Sequence, residues 1–280
     1  MSVASEITRK AKSNLAFALN ILPKDRREDM VVFYAFCRVI DDLADDLDVP
    51  AEKRAAALSA WKQGLEEGFA APDEFQREVV EVRDKRAIPT ELLTAIIDGC
   101  TMDLHRQRFG TWEDLSKYTW KVACAVGLVS VRLFGCQHPD SEKYAVALGH
   151  ALQLTNILRD VGEDLSNSVR IYLPLADLGR FQYTERDLIG RVHDGRFMAM
   201  MAYQAERAEA FYQEAESLLP PSDRAALTPA IIMAETYRTL LQRMKSDGFR
   251  VFDRRYSLSK ARKLAILSKH LIARKRSARE

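Results

Sequence analysis

Two stretches far apart in this chain each end a row of polar side chains with two aspartates one helical turn apart. In Tyr34-Ala-Phe-Cys-Arg38-Val-Ile-Asp41-Asp42-Leu-Ala-Asp45-Asp46, read as a helix, Tyr34, Arg38, Asp41 and Asp45 fall at i, i+4, i+7 and i+11, one stripe along one face. Between Gly149 and Asp164, Gln153, Asn156, Asp160 and Asp164 fall at i, i+3, i+7 and i+11. Asp is a poor interior helix residue, and acids near a helix C-terminus face the negative end of the dipole. Both stripes therefore carry a local cost that a cation should offset. If the helices face each other, four carboxylates meet at one cavity. That suits Mg²⁺, which is held by a few carboxylates while waters and substrate phosphates complete its octahedron. A single such pair usually decorates a solvated face; two pairs, each following apolar sequence, need a partner. Arg38 either pairs with Asp41 or grips a phosphate through two hydrogen bonds.

A metal-bound diphosphate is a good leaving group, because the metal stabilises charge as the carbon–oxygen bond breaks. The organic remainder is a carbocation that water would quench. Such a reaction requires a dry apolar cavity with aromatic faces. Other chemistries lack their motifs. His105, His138, His150, His193 and His270 show no metal-ligand spacing, and there is no nucleophile elbow, zinc motif or Gly-rich dinucleotide loop.

The elements that must position the stripes are helical throughout, with no alternating strand pattern. The periodicity and breakers predict helices over about Ala4–Asn20, Lys24–Asp48, Glu52–Phe69, Asp73–Arg86 and Pro89–Arg108. Thr111-x-x-Asp114 caps a long apolar helix to Gly135, in which Ala123 and Gly127 imply close helix packing. Pro139 opens the helix of the second stripe, to about Leu165. Arg170-Ile-Tyr172-Leu-Pro174 follows as an irregular link at the mouth of the cavity. Thr184-x-x-Asp187 starts a short helix, and Phe197–Leu218 and Ala225–Lys245 are long amphipathic ones. No internal repeat or low-complexity linker interrupts the chain, so residues 1–280 read as one domain.

With 280 residues and 47% hydrophobic content the chain can bury a large core. Its net charge of +2 conceals a basic tail over about 254–280, with ten Lys or Arg and one acid. Leu264, Leu267 and Leu271 set an apolar edge beside Lys260, Lys263 and Arg274, which suits either a solvated helix or peripheral contact with anionic lipid. Nucleic acid is not an expected partner without a binding module. Cys37, Cys100, Cys124 and Cys136 are irregularly spaced and read as free thiols in a reducing compartment. No apolar run reaches the roughly 18 residues of a membrane span, and no signal-peptide layout is present. The expected location is cytoplasmic, with the tail able to touch the inner membrane face.

These residues resemble the squalene/phytoene synthase family of head-to-head prenyl diphosphate synthases. Tyr34-Ala-Phe-Cys-Arg38-x-x-Asp41-Asp42-x-x-Asp45 is similar to its first aspartate-rich motif, and Tyr118-x-x-x-Val122-Ala123-x-x-Val126-Gly127 to its central motif. Gly149-x-x-x-Gln153-x-x-Asn156-Ile-x-Arg159-Asp160-x-x-Glu163-Asp164, with Arg170-x-Tyr172-x-Pro174, is similar to the second aspartate-rich motif. The resemblance implies an all-α, single-domain helical bundle of the isoprenoid synthase type with a central apolar cavity. It also implies Mg²⁺-dependent coupling of two allylic diphosphates, typically farnesyl diphosphate, through a cyclopropyl intermediate to presqualene diphosphate or squalene. Phytoene formation from geranylgeranyl diphosphate is the alternative.

By position, Asp41, Asp45, Asp160 and Asp164 would bind Mg²⁺ with Asn156 assisting. Tyr34, Arg38, Gln153, Arg159, Tyr237 and Arg250 would contact substrate beside Arg170 and Tyr172, and Tyr118 would lie near the reacting carbons. Where many members carry a basic residue ahead of the first helix break, this chain has Ala11-Lys12-Ser13-Asn14, shifting phosphate contact to Lys12 or Ser13. Cys124 replaces a common Gly and would narrow one prenyl channel. NADPH use stays open, since nicotinamide can bind without a Gly-rich loop.

A chain-elongating prenyltransferase would need a second DDxxD where Asp160-Val-Gly-Glu163-Asp164 stands. A class I terpene cyclase would need Ser or Thr and Glu after its Asn or Asp. Non-catalytic relatives that serve as assembly factors tend to lose the metal-binding aspartates, and all four are present here.

Overall fold

The computed structural model describes residues 3–10, 21–105, 108–167 and 170–277. Lys12 and Ser13 lie outside the described residues, as does most of the helix expected over Ala4–Asn20. The first helix, α1, is Val3–Lys10. It is followed by α2 (Lys24–Asp45), α3 (Ala51–Glu67), α4 (Glu74–Lys85) and α5 (Thr90–Met102). Then come α6 (Trp112–Thr119), a π-helical turn (Trp120–Cys124) and α7 (Ala125–Phe134). The 28-residue α8 is Asp140–Asn167. After it run α9 (Leu175–Arg180), α10 (Glu185–Ile189), α11 (Gly195–Leu218), α12 (Thr228–Ser246) and α13 (Lys260–Ser277). Among the described residues there is no strand; a single bridge joins Arg108 to Ile171.

The bundle is organised on α8, which packs most extensively on α11 and also meets α6, the π turn, α7 and α12. Tyr144, Leu148, Ala151, Leu154, Leu158 and Val161 bury its length at helical spacing. On α2, Phe33, Phe36, Ile40 and Ala44 form a buried stripe, with Phe36 edge-on to Trp61 of α3. Burying a side chain of that size contributes roughly 1.5–3 kcal/mol. The turns follow side-chain capping. Thr111 and Asp114 form the expected capping box, Thr184 and Asp187 another, and Asp73 with Gln76 a third.

Three segments depart from the sequence reading. The helix expected from Thr111 to Gly135 is broken by the π turn, a feature that apolar periodicity does not mark. The helix expected to reach Arg108 stops at Met102, with Asp103 as its C-cap. The short α9 falls within a stretch left unassigned by periodicity, where Pro174 fixes its first turn.

Small residues do bring helices close. A Cβ on Gly127 would stand 2.9 Å from the Ala145 carbonyl oxygen, and one on Gly149 would stand 2.7 Å from the Cys124 Cα. Cys124 is fully buried in that contact and donates its thiol to the Val146 carbonyl at 3.2 Å. It therefore faces α8 rather than the cavity, and the expected narrowing of a prenyl channel by Cys124 is not found. All four cysteines are free, and burial pushes the Cys124 and Cys136 thiols up to about 12 and 11.

Candidate active site

A cavity of about 1000 Å³ opens between α2, α5, the Tyr118 helix, α8 and α12. Helix α2 contributes Tyr34, Arg38 and Asp41, and α8 contributes Gln153, Asn156 and Arg159. Both polar stripes thus line one space. Met30, Phe33, Ile96, Val122, Val126 and Leu240 line its apolar part. The central motif supplies Tyr118, Val122 and Val126, one turn apart, and α12 supplies Tyr237.

The acids gather at one end. Arg38 donates to Asp41 at 3.0 Å and also pairs with Asp42. Asp45 accepts from Arg170 Nη1 at 3.0 Å, and the same guanidinium donates to the Asp103 carbonyl at 3.0 Å. Arg159 forms a two-point pair with Asp160, at 2.8 and 2.5 Å. Asp164 lies behind this pair, in a small recess with Arg170 and Tyr172. Partial burial at the cavity wall, where its side chain still keeps half its exposure, and then neighbouring Asp45 push the Asp41 carboxyl up to about 6. Burial, reinforced by Asp160, pushes Asp164 up to about 7. Asp103 adds to both shifts.

Sequence reasoning missed Asp103. Its two carboxylate oxygens accept from the Tyr118 and Tyr172 hydroxyls, each at 2.8 Å. The rings of Phe109, Tyr118 and Tyr172 pack together with centroids 5.3–6.1 Å apart. Burial raises the Asp103 carboxyl, against the pull of the two phenols. An acid just beyond an apolar helix was the available signal, but its partners lie 15 and 69 residues away.

Arg255 was also missed, having been read as part of the basic tail. Its Nε lies 3.1 Å from Asp160 and 3.0 Å from Glu163, and Arg255, Tyr256, Ser257, Leu258 and Lys263 close one side of the cavity. Arg250, by contrast, is turned out. The tight turn at Phe249, with φ of 54°, directs its side chain to solvent, where it pairs with Asp253 at 3.5 Å. The structure thus places Arg250, expected to contact substrate, outside the lining of the cavity, whereas Arg255 of the same segment stands within it.

His150, which shows no metal-ligand spacing, is used in packing. It packs on Trp112 and Phe211 and shares a hydrogen bond with Thr119 at 2.8 Å, and burial lowers its pKa.

Among the described residues no three His, Cys, Asp or Glu side chains stand close enough to hold one metal ion by themselves. The donors are nonetheless hard oxygens in pairs, and the Asn156 Oδ1 is buried without a hydrogen-bond partner. Such a set fits Mg²⁺, which keeps waters and takes phosphate oxygens rather than needing an all-protein cage.

The squalene/phytoene synthase family model matches residues 8–262. The chain is 32% identical to the 15-cis-phytoene synthase of Synechocystis, covering 95% of this chain and 82% of that one. It is 35% identical to the presqualene diphosphate synthase of Rhodopseudomonas palustris, covering 93% of each. A crystal structure of a dehydrosqualene synthase superposes with a TM-score of 0.84 at 28% identity, covering 97% of this chain and 95% of the other. The squalene synthase of Alicyclobacillus acidocaldarius gives 0.78 at 29% identity, covering 88% and 93%. With one match running through both acidic stripes, the Tyr118 helix and the segment that carries Arg255, this chain belongs to the squalene/phytoene synthase family of prenyltransferase-type enzymes.

Proposed function

We propose that the chain catalyses Mg²⁺-dependent head-to-head condensation of two allylic prenyl diphosphates, with farnesyl diphosphate as substrate and presqualene diphosphate or squalene as product. The observation that carries this reading is the single cavity lined by Tyr34, Arg38 and Asp41 on one wall and Gln153, Asn156 and Arg159 on the other. Bound Mg²⁺ supplies charge neutralisation of the departing diphosphate. Asp41, Asp45, Asp160 and Asp164, with the Asn156 amide oxygen, are the groups that would hold it.

Arg38, Arg159, Arg170 and Arg255 surround the acidic end and offer forked donors to phosphate oxygens. Away from that end, Phe33, Tyr34, Tyr118 and Tyr237 are the aromatic residues of the lining, suited to stabilising a carbocation, beside the aliphatic Ile96, Val122, Val126 and Leu240. Tyr118, held by Asp103, has its hydroxyl fixed at the junction of the two regions, where it can steer a proton or the diphosphate.

A second reading, two geranylgeranyl diphosphates to phytoene, is favoured by the similarity to phytoene synthases of Synechocystis and Arthrospira platensis. The presqualene diphosphate synthase of Rhodopseudomonas palustris supports the first reading. Incubating purified protein with each diphosphate and Mg²⁺, with and without NADPH, and identifying the lipid separates them. Presqualene diphosphate or squalene from farnesyl diphosphate is expected, with squalene only if NADPH serves as reductant. Phytoene with no product from farnesyl diphosphate would establish the second reading, and no product from either would reject both.

A further inference from the structure

The charge of this chain is divided sharply along its length. Ten of its 42 Lys and Arg, but one of its 40 acids, lie from Arg254 onward, which leaves the preceding residues at net −7 and the tail at +9. An anionic surface would repel the body and attract the tail, and the tail is built as a helix with two unlike faces.

One face of α13 is fastened to the bundle. Ile266 is buried, and Glu235 of α12 accepts from Lys269 at 2.9 and 3.0 Å and meets His270 Nε2 at 2.6 Å. The other face carries Ala261, Leu264, Ala265, Ser268 and Ile272, all exposed, with Leu264 at 53% and Ile272 at 54%. Lys260 and Arg262 flank its start, and the sequence past Ile272 continues with Arg274, Lys275, Arg276 and Arg279. The apolar edge is therefore Leu264 and Ile272; Leu267 and Leu271, expected to share it, are half-buried.

We infer that this outward face of α13 docks on an anionic lipid surface, lying in the interface with Leu264 and Ile272 among the acyl chains and the cations among the headgroups. An amphipathic helix with a basic polar face binds membranes through both terms, and its cationic contribution fades as salt shortens the Debye length. Exposed aliphatic side chains in the centre of the basic face favour lipid over nucleic acid, which offers phosphates but no apolar layer. Among the described residues no helix is long and apolar enough to cross a membrane, so the contact is peripheral. Lys263, on the other side of the same helix, lines the cavity.

The test is flotation of the full chain with phosphatidylcholine vesicles, alone or mixed with phosphatidylglycerol. Binding to the mixed vesicles is expected at about 0.1 M salt, at least about tenfold tighter than to phosphatidylcholine alone, and largely lost near 1 M. The double variant L264S/I272S should bind at least about fivefold more weakly, and K260E/R262E more weakly still at low salt, with unchanged melting temperatures. The inference is overturned if the wild-type chain ignores phosphatidylglycerol or if both variants float as it does. It is equally overturned if a DNA duplex at equal phosphate binds as tightly as the mixed vesicles and L264S/I272S leaves both unchanged.

Discussion

The two acidic stripes look equivalent on paper, yet α2 and α8 hold them in different ways. On α2, Arg38 and Asp41 are 44% and 51% exposed, and Asp45 is 50% exposed. Ion pairs of that kind contribute about 0–1 kcal/mol. On α8, Arg159 and Asp160 are 14% and 18% exposed and locked in a two-point pair, with Arg255 closing on the far side. Removing one member of a buried pair leaves the other charge stranded, at a cost of roughly 3–5 kcal/mol. The α8 side is preorganised by Arg159 and by Arg255 from the segment after α12, whereas the α2 side is open to rearrange around whatever enters the cavity.

The largest expected effect treats the stripes alike. Asp41→Ala and Asp160→Ala should each lower Mg²⁺-dependent diphosphate release by at least about a thousandfold, with helix content by circular dichroism unchanged. Normal turnover in either variant would break the metal assignment for that helix.

Stability should then separate them. Asp160→Ala strands Arg159 and should cost about 3 kcal/mol, a melting shift of several degrees, while Asp41→Ala should move it by less than about 1 kcal/mol. Equal shifts would mean that the contrast between the helices is not real. Asp103→Asn, which weakens the acceptor for Tyr118 and Tyr172, should fall between, at about 1–3 kcal/mol.

A smaller effect concerns pH. Asp41 and Asp164 titrate at about 6 and 7 in the folded, metal-free chain, above the ordinary value of 3.8. Between those values the folded state binds more protons than the unfolded one, so stability falls as pH rises from about 4 to 7. Melting in EDTA should follow that slope, and Asp164→Asn should flatten it more than Asp41→Asn. An Asp164→Asn variant whose midpoint keeps the wild-type pH dependence over this range would contradict the assignment. The smallest effect is expected at Arg250→Ala, within about 0.5 kcal/mol and without change in KM, whereas Arg255→Ala should raise KM for the diphosphate.

What the sequence made legible was whatever repeats at helical spacing. Tyr34, Arg38 and Asp41, or Gln153, Asn156 and Asp160, declare a shared face within one helix, and the capping residues Thr111 and Thr184 mark where helices begin. Contacts made by chain reversal left no such trace. Asp103 acquires its meaning from Tyr118 and Tyr172, two separate elements, and Arg255 from a chain reversal after Arg250 that returns it to the cavity. The π turn at Trp120–Cys124 was hidden for a related reason, since it alters the register of a helix without altering its hydrophobicity. Cys124 sat in the right motif but on the wrong side of it, a matter of which small residues α8 presents.

The most direct measurement is diphosphate released by the wild-type chain from farnesyl diphosphate as Mg²⁺ is titrated from EDTA upward, read beside Asp41→Ala and Asp160→Ala. The account predicts release that rises with Mg²⁺ in the wild-type chain and stays at background in both variants. Release in EDTA equal to that in Mg²⁺, or a Mg²⁺ response retained by both variants, would contradict it.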